Sequence, residues 1–527
     1  MAKIIKKIVR VLLVITAVLV VVPLIVFILL QTPAFQTFSV NRLTHVITQK
    51  TGAEITIGEV RYRMFRKLML GDVLFSDQNG DTLLAVRRVD LRVRGFNPSE
   101  KDFRFGRARL LEPDFRIITD TSGVTNLTQY INILRGDAEK DTTRGIHISF
   151  TDIDISDGAF SLVSRLDTSG IQRGSVNFRN MRLGSIDARL RDLTIIPDSV
   201  SMVIRGLDFT EAGGFNILSL DMNAAIGREG LFFREVDLIT DSSAVSAGKI
   251  LLMPQDTAAW SDFINRVKMD LQFNNSFVDL SDLSYFVRPL GGISENITLS
   301  GRVSGTVAEL KGRNIRIDYA ASTRLRFDFD VSGLPSVNDS YLYIDFTDMR
   351  TSARDIELFS IPGKAPLKLP MVAHDLGLIS YKGSFTGFTT DFVSFGKLST
   401  ERGTFSTDLS LRPDGRNTFS FKGFLRTSAV DLGYVTRNSE MFGGLWMHAD
   451  IDGSMQSFRH LSANISGMID SVEINQYLYR NVEVEGRYAD SIWDGTVAVR
   501  DRNINMDLMG RFDLEKSMPE FDFTMNL

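Results

Sequence analysis

The chain has 527 residues, 60 Lys and Arg against 64 Asp and Glu, and a formal net charge of −4. With no cysteine it excludes disulfides, cysteine-ligated metals and thiol chemistry, and its histidines (His45, His147, His374, His448, His460) lack the spacing of zinc ligands. Basic residues are scattered instead of clustered, which argues against nucleic acid as a partner, and no nucleophile elbow or phosphate-binding glycine loop is present, so neither an enzyme nor a cofactor is expected.

Residues 1–31 read as a basic cytoplasmic start and a transmembrane signal anchor. Lys3, Lys6, Lys7 and Arg10 precede an uncharged run from Val11, Leu12 and Leu13 through Pro23 to Leu30. As a helix that run reaches about 30 Å, the thickness of a bilayer's hydrocarbon core, and the positive-inside rule places the N-terminus in the cytoplasm. The apolar core is longer than that of a cleaved signal peptide, and Gln31-Thr32-Pro33-Ala34-Phe35 makes a poor cleavage sequence. Residues 32–52 follow as an amphipathic helix, with Phe35, Phe38, Leu43, Val46 and Ile47 mostly at three- and four-residue spacing.

From Ala53 the apolar period becomes two: Ile55 and Ile57, Leu68 and Leu70, then Val89, Leu91 and Val93 predict half-buried strands, with a hairpin at Gln78-Asn79-Gly80-Asp81. The region 53–134 ends on a short helix predicted over 126–134, and the polar run 135–145 reads as a linker. Alternation resumes at Ile146. Asp152, Asp154 and Asp157 invite a calcium reading, but the spacing is wrong for an EF-hand and no closing glutamate follows; Asp157-Gly158 reads as a hairpin turn.

A β-segment is predicted over 146–360, with a helical interruption over 279–290. Its cleanest alternation sets Leu325, Phe327, Phe329 and Val331 against Arg324, Arg326, Asp328 and Asp330, with Leu342, Ile344 and Phe346 in the neighbouring strand. The proline-rich stretch 361–373 interrupts the sheet, and a second segment covers 374–527. A weak repeat recurs as Ile297–Gly305, Ile379–Phe388 and Ala449–Phe458. Phe405, Leu409, Leu411, Phe419 and Phe421 extend the apolar face, as do Ile504, Met506, Leu508 and Phe512. Phe521, Phe523, Met525 and Leu527 carry the pattern to the last residue, which reads as a chain truncated there or an edge covered by a partner.

The basic anchor, the helix leading into Thr51-Gly52-Ala53-Glu54-Ile55-Thr56-Ile57-Gly58-Glu59-Val60, and the passage from Leu70 to Leu84 together resemble the AsmA-like envelope proteins. Within them the chain is similar to the translocation and assembly module B (TamB) group of Bacteroidetes type, and the run Tyr381 to Leu411 adds to this. The resemblance, with the periodicity, leads to a mainly β fold: a transmembrane helix, then an elongated, curled antiparallel sheet forming a repeating β-groove, with a few short helices.

The expected role is an inner-membrane-anchored periplasmic bridge that carries phospholipid acyl chains toward the outer membrane. The apolar residues named from Leu325 to Phe512 would line its groove. A second role implied by the resemblance is assembly of outer-membrane proteins and autotransporters, with an outer-membrane β-barrel assembly protein as partner. An anchor without a cleavage site predicts that the mature protein keeps its first residues. Sequencing the N-terminus of protein purified from membranes tests this: a start near Ala34 or Phe35 contradicts it.

Overall fold

The computed structural model describes residues 55–527 apart from 64–66, 78, 98, 128–146, 168, 197, 287–294, 360–366, 370, 416–417, 436–437, 458–459, 491 and 514–519. The expected anchor and amphipathic helix, most of the helix 126–134 and the linker 135–145 lie outside these residues. Among the described residues no helix is long and apolar enough to cross a membrane. The chain divides into two compact units, 1–299 and 300–527, a boundary inside the segment 146–360 that the sequence reads as continuous.

The fold is mainly β, with few short helices. In unit 1 the strands are β1 (Ile55–Arg63), β2 (Lys67–Ser76), β3 (Thr82–Asn97), β4 (Asp102–Thr119), β5 (His147–Ser164) and β6 (Asn180–Ile196). They continue with β7 (Ser199–Glu211), β8 (Asn216–Gly227), β9 (Gly230–Thr240), β10 (Ala244–Pro254) and β11 (Val267–Asp279). Each pairs with the next, antiparallel except for β4 with β5.

That parallel pair departs from the expected antiparallel sheet. Parallel neighbours need a crossover of a dozen or more residues, which the chain between Thr119 and His147 provides. The pairing sets Phe105 against Phe150 and Phe115 against Phe160, with ring centroids 4.8 and 6.2 Å apart. The Asn-Gly hairpin forms as expected between β2 and β3, where the Asp77 carboxylate accepts the amides of Asn79 and Asp81. Asp157-Gly158, in contrast, is no hairpin: β5 runs through it, and Asp157 takes a positive φ of 51° at a bulge.

Bulges recur with one local sequence, an arginine, a residue of positive φ, then an apolar residue. It appears as Arg191-Asp192-Leu193, Arg205-Gly206-Leu207 and Arg234-Glu235-Val236 in unit 1, each at a register shift. The extra residue restores the apolar side chain to the inner face, so that Leu193 is 1% exposed. The freed amide is taken up by a carboxylate of the next strand: Gly206 N–H donates to Asp221 Oδ1 at 2.6 Å, and Asp157 N–H to Asp187 Oδ1 at 3.1 Å.

Side chains of β2 to β8 on that inner face make one closed core. Leu83, Ile117 and Val200 are fully buried, and Leu127 joins them. These strands are half-buried as expected: one set of alternate side chains lies in this core and the other faces outward.

The unit boundary falls within β12 (Asn296–Gly305). Unit 2 continues with β13 (Glu309–Tyr319), β14 (Thr323–Ser332), β15 (Tyr341–Ser352), β16 (Leu378–Gly387), β17 (Phe392–Thr400), β18 (Gly403–Pro413) and β19 (Phe419–Asp431). Then come β20 (Phe442–Ser457), β21 (His460–Ile474), β22 (Tyr477–Ala489), β23 (Ile492–Arg500), β24 (Asn505–Asp513) and β25 (Glu520–Asn526). From β13 onward each pairs antiparallel with the next. The bulge signature returns as Arg313-Asn314-Ile315, with Asn314 N–H donating to Asp328 Oδ1 at 2.6 Å.

The weak sequence repeat corresponds to groups of four strands, β8–β11, β12–β15, β16–β19 and β20–β23, since its three copies fall in β12, β16 and β20. At the end of the fourth strand of each group, or just after it, an aspartate reaches the turn between the second and third. Asp282, in the one-turn helix Leu280–Ser284, accepts from Thr240 Oγ1 and Ser243 Oγ at 2.6 and 2.5 Å. Asp355, in the helix Ala353–Leu358, accepts from Ser322 N, Ser322 Oγ and Thr323 Oγ1 at 2.8, 2.7 and 3.0 Å. Asp431 accepts from Arg402 at 3.3 Å, and Asp501 accepts from the Tyr477 hydroxyl at 2.6 Å.

Burial alone would raise the Asp355 carboxyl, but the hydrogen bonds from Ser322 and Thr323 outweigh it and hold the group below the usual carboxylate range. Its folded pKa is therefore below its unfolded one. The stability it contributes is present above about pH 4 and is lost as pH falls through the folded value. Asp355→Ala strands those donors and should cost about 3 kcal/mol at neutral pH, with a shallower acid limb than the wild type. Urea midpoints measured from pH 7 to pH 3 check both the size and the sign.

Candidate functional site

The register of unit 2 places the predicted lining residues on a common face. Val331 lies opposite Leu342, Phe329 opposite Ile344 and Phe327 opposite Phe346, while Leu325 meets Met349. Partner by partner the row continues from Leu342 through Gly387, Phe392 and Leu411 to Phe421, and from Ile344 through Phe385 and Ser394 to Leu409, with Phe405 and Phe419 in the same phase. At β24 Met506, Leu508 and Phe512 oppose Val499, Val497 and Trp493, and the register carries the row on to β25, where Met525 and Phe521 oppose Leu508 and Phe512. Ile504 sits in the turn just before β24, half-buried.

Sequence reasoning missed several members of this face: Ile315 and Ile317 on β13, Tyr381 and Phe385 on β16, and Trp493 on β23. In β13 the bulge at Asn314 shifts the phase. In β16 and β23 glycines stand where the apolar rhythm would have announced itself. The signal that finds them is the bulge signature, together with glycine counted as an in-phase position.

Those glycines have a use. A Cβ added at Gly312 would lie 2.1 Å from a ring carbon of Phe329, which is its register partner. The rings of Tyr381, Phe421 and Trp493 lie in the same way over Gly396, Gly453 and Gly486, at 2.6, 2.7 and 2.5 Å from such a Cβ. Aromatic side chains here lie down along the sheet instead of standing toward a second layer, which buries part of each ring against backbone. Rings also meet across strands: Phe327 with Phe346, tilted, at 5.5 Å, and Phe346 with Tyr381, edge to face, at 5.9 Å.

Exposure separates this face from the core of unit 1. Val331 and Phe421 are 9% exposed, while the other predicted lining residues are all half-buried. Half-exposed apolar side chains on successive strands form an accessible greasy surface, of the kind that marks contact with an apolar ligand or partner.

The opposite face is polar. Arg313 pairs with Asp330 at 2.6 Å, and Asp328 is held by the Asn314 amide. Hydrogen bonding to Arg313 holds the Asp330 carboxyl below its usual range. Exposed ion pairs of this kind add little stability, so the outer face is mainly solvated. Its apolar exceptions include Phe395 and Met509, each 64% exposed. Among the described residues no group of carboxylates and histidines is arranged to hold a metal ion. The chain matches no protein-family model, no curated protein and no solved structure.

The contrast between the two units predicts different penalties for the same charge. At Phe329, half-buried at the surface of unit 2, an aspartate can keep its hydration, and Phe329→Asp should fold with a loss of about 1–2 kcal/mol. Ile117, 0% exposed in unit 1, has no route to water, and Ile117→Asp should cost about 4 kcal/mol or more. Chemical denaturation of both variants checks the difference: equal losses contradict an accessible face.

Proposed function

We propose that the apolar face of unit 2 carries phospholipid acyl chains, and that the protein is an AsmA-like envelope protein of the TamB group anchored in the inner membrane by the run 11–30. The observation that carries this reading is the half-exposed apolar face running in register from β13 to β24, in a chain whose unit 1 has a closed core. A two-chain phospholipid with roughly thirty methylenes faces a cost on the order of 20 kcal/mol in water at about 0.8 kcal/mol per methylene. A surface that stays in contact with the tails removes most of that cost while the headgroup remains hydrated. Such a surface must bind weakly at each point, and a floor of glycines under flat rings suits this because it offers contact without a deep pocket. The sheet need only bend along its length to embrace a tail. The bulk of the chain would then lie in the periplasm, with the outer membrane as the destination.

Photo-crosslinking tests the proposal in cells. A benzophenone amino acid at Phe346 should capture phospholipid, while the same group at Phe395, more exposed and on the opposite face, should capture at least tenfold less. Equal capture at both positions, or none at Phe346, overturns it.

A further inference from the structure

The outer face of unit 1 carries an arrangement that folding alone does not favour. Arg109 of β4 lies opposite Asp154 of β5, Asp154 opposite Arg189 of β6, and Arg189 directly opposite Arg205 of β7. Like charges in register on one sheet face repel each other. Asp154 is already engaged, since it accepts from Arg107 at 2.7 Å and from Arg189 at 3.1 Å. Burial would raise its carboxyl, yet these arginines hold it below its usual range, so it is an anion at neutral pH. The contacts of Arg205 are to neutral groups, the Ile204 carbonyl at 2.9 Å and Asn223 Oδ1 at 3.4 Å.

The surface is also concave here. A shallow pocket is lined by Arg107, Arg109, Arg189 and Arg205 together with Asp154 and Asp187. It sits beside the bulges of β5, β6 and β7, which bend an otherwise regular face. Asp187 is turned to its own task, accepting the Asp157 amide. The lining itself carries four guanidinium groups against two occupied carboxylates; beside it, Asp90 of β3, opposite Arg109, is paired with Arg88, and Asp221 of β8 is taken up by the Gly206 amide.

We propose that this pocket is a binding site for a phosphate-class oxyanion, held between Arg109, Arg189 and Arg205. Guanidinium forks pair with phosphate oxygens in two-pronged fashion, which a compact ammonium group cannot do. The anion would replace the missing acidic partner between Arg189 and Arg205 and turn their repulsion into a shared contact. The site is independent of the apolar face of unit 2. Its ligand chemistry is shared by lipid headgroups and soluble phosphate compounds.

Calorimetric titration of the full chain in an uncharged detergent with inorganic phosphate, against chloride at matched ionic strength, is the first test. Wild type should bind phosphate, and Arg205→Gln and Arg189→Gln should each weaken binding at least tenfold. Arg324→Gln, on the outer face of unit 2, should leave it unchanged. Without phosphate, Arg205→Gln should unfold at the same temperature as wild type or higher, since it removes a like-charge contact; this shows that lost binding is not lost folding. Absence of phosphate binding in the wild type, or its persistence in both unit 1 variants, overturns the proposal. Glycerol phosphate and dihexanoylphosphatidylglycerol then separate the sources. Binding at least tenfold tighter to the lipid, through a component that Arg205→Gln abolishes, identifies a headgroup site, and equal binding identifies a soluble phosphate compound.

Discussion

A β-sheet with one apolar side holds only while each strand turns its side chains in step with its neighbours, because a slip of one residue sends charge to the apolar side. In this chain the bulge maintains that phase. Gly206 and Asn314 each absorb an extra residue, and Asp221 and Asp328 each take up the amide that the bulge frees. Both amides lie at the exposed face, so the carboxylates take the place of water as their acceptors and tie each bulge to the neighbouring strand. The closed core of unit 1 and the accessible face of unit 2 both depend on that phase.

The two units then use the same alternation differently. In unit 1 the aligned residues pack into a dry cluster, with Phe105 stacked on Phe150 across the parallel pair. In unit 2 the aromatic residues find their cover within the sheet, as Phe329 does over Gly312 and Trp493 over Gly486. A face built this way covers the inner side of each ring with backbone and leaves the outer side available.

Much of this was legible in the residue order. The row from Leu325 to Val331 opposite Leu342 to Phe346 could be read directly, because nothing interrupts its alternation. Tyr381 and Trp493 could not, since a glycine in the apolar phase looks like a gap until the ring that covers it is known. Asp157-Gly158 was misread because one dipeptide serves both a hairpin turn and a bulge, and only the continuation of β5 decides between them. The parallel pairing of β4 with β5 depends on a long return that no local pattern encodes. Scattered arginines looked unrelated for a similar reason: Arg109, Arg189 and Arg205 meet only after register and bulges are set.

The aspartates that fasten each turn, Asp282, Asp355, Asp431 and Asp501, follow one another at intervals of 73, 76 and 70 residues. Each reaches a turn within its own group of four strands. A whole group could therefore be duplicated or removed with its fastening intact, at the cost of forming only the pairings at the new junction. Four strands at a spacing of about 4.8 Å advance a sheet by about 19 Å. The number of strands thus becomes a heritable quantity that changes in fixed increments, and a lineage could lengthen or shorten such a sheet by copying groups without redesigning any of them.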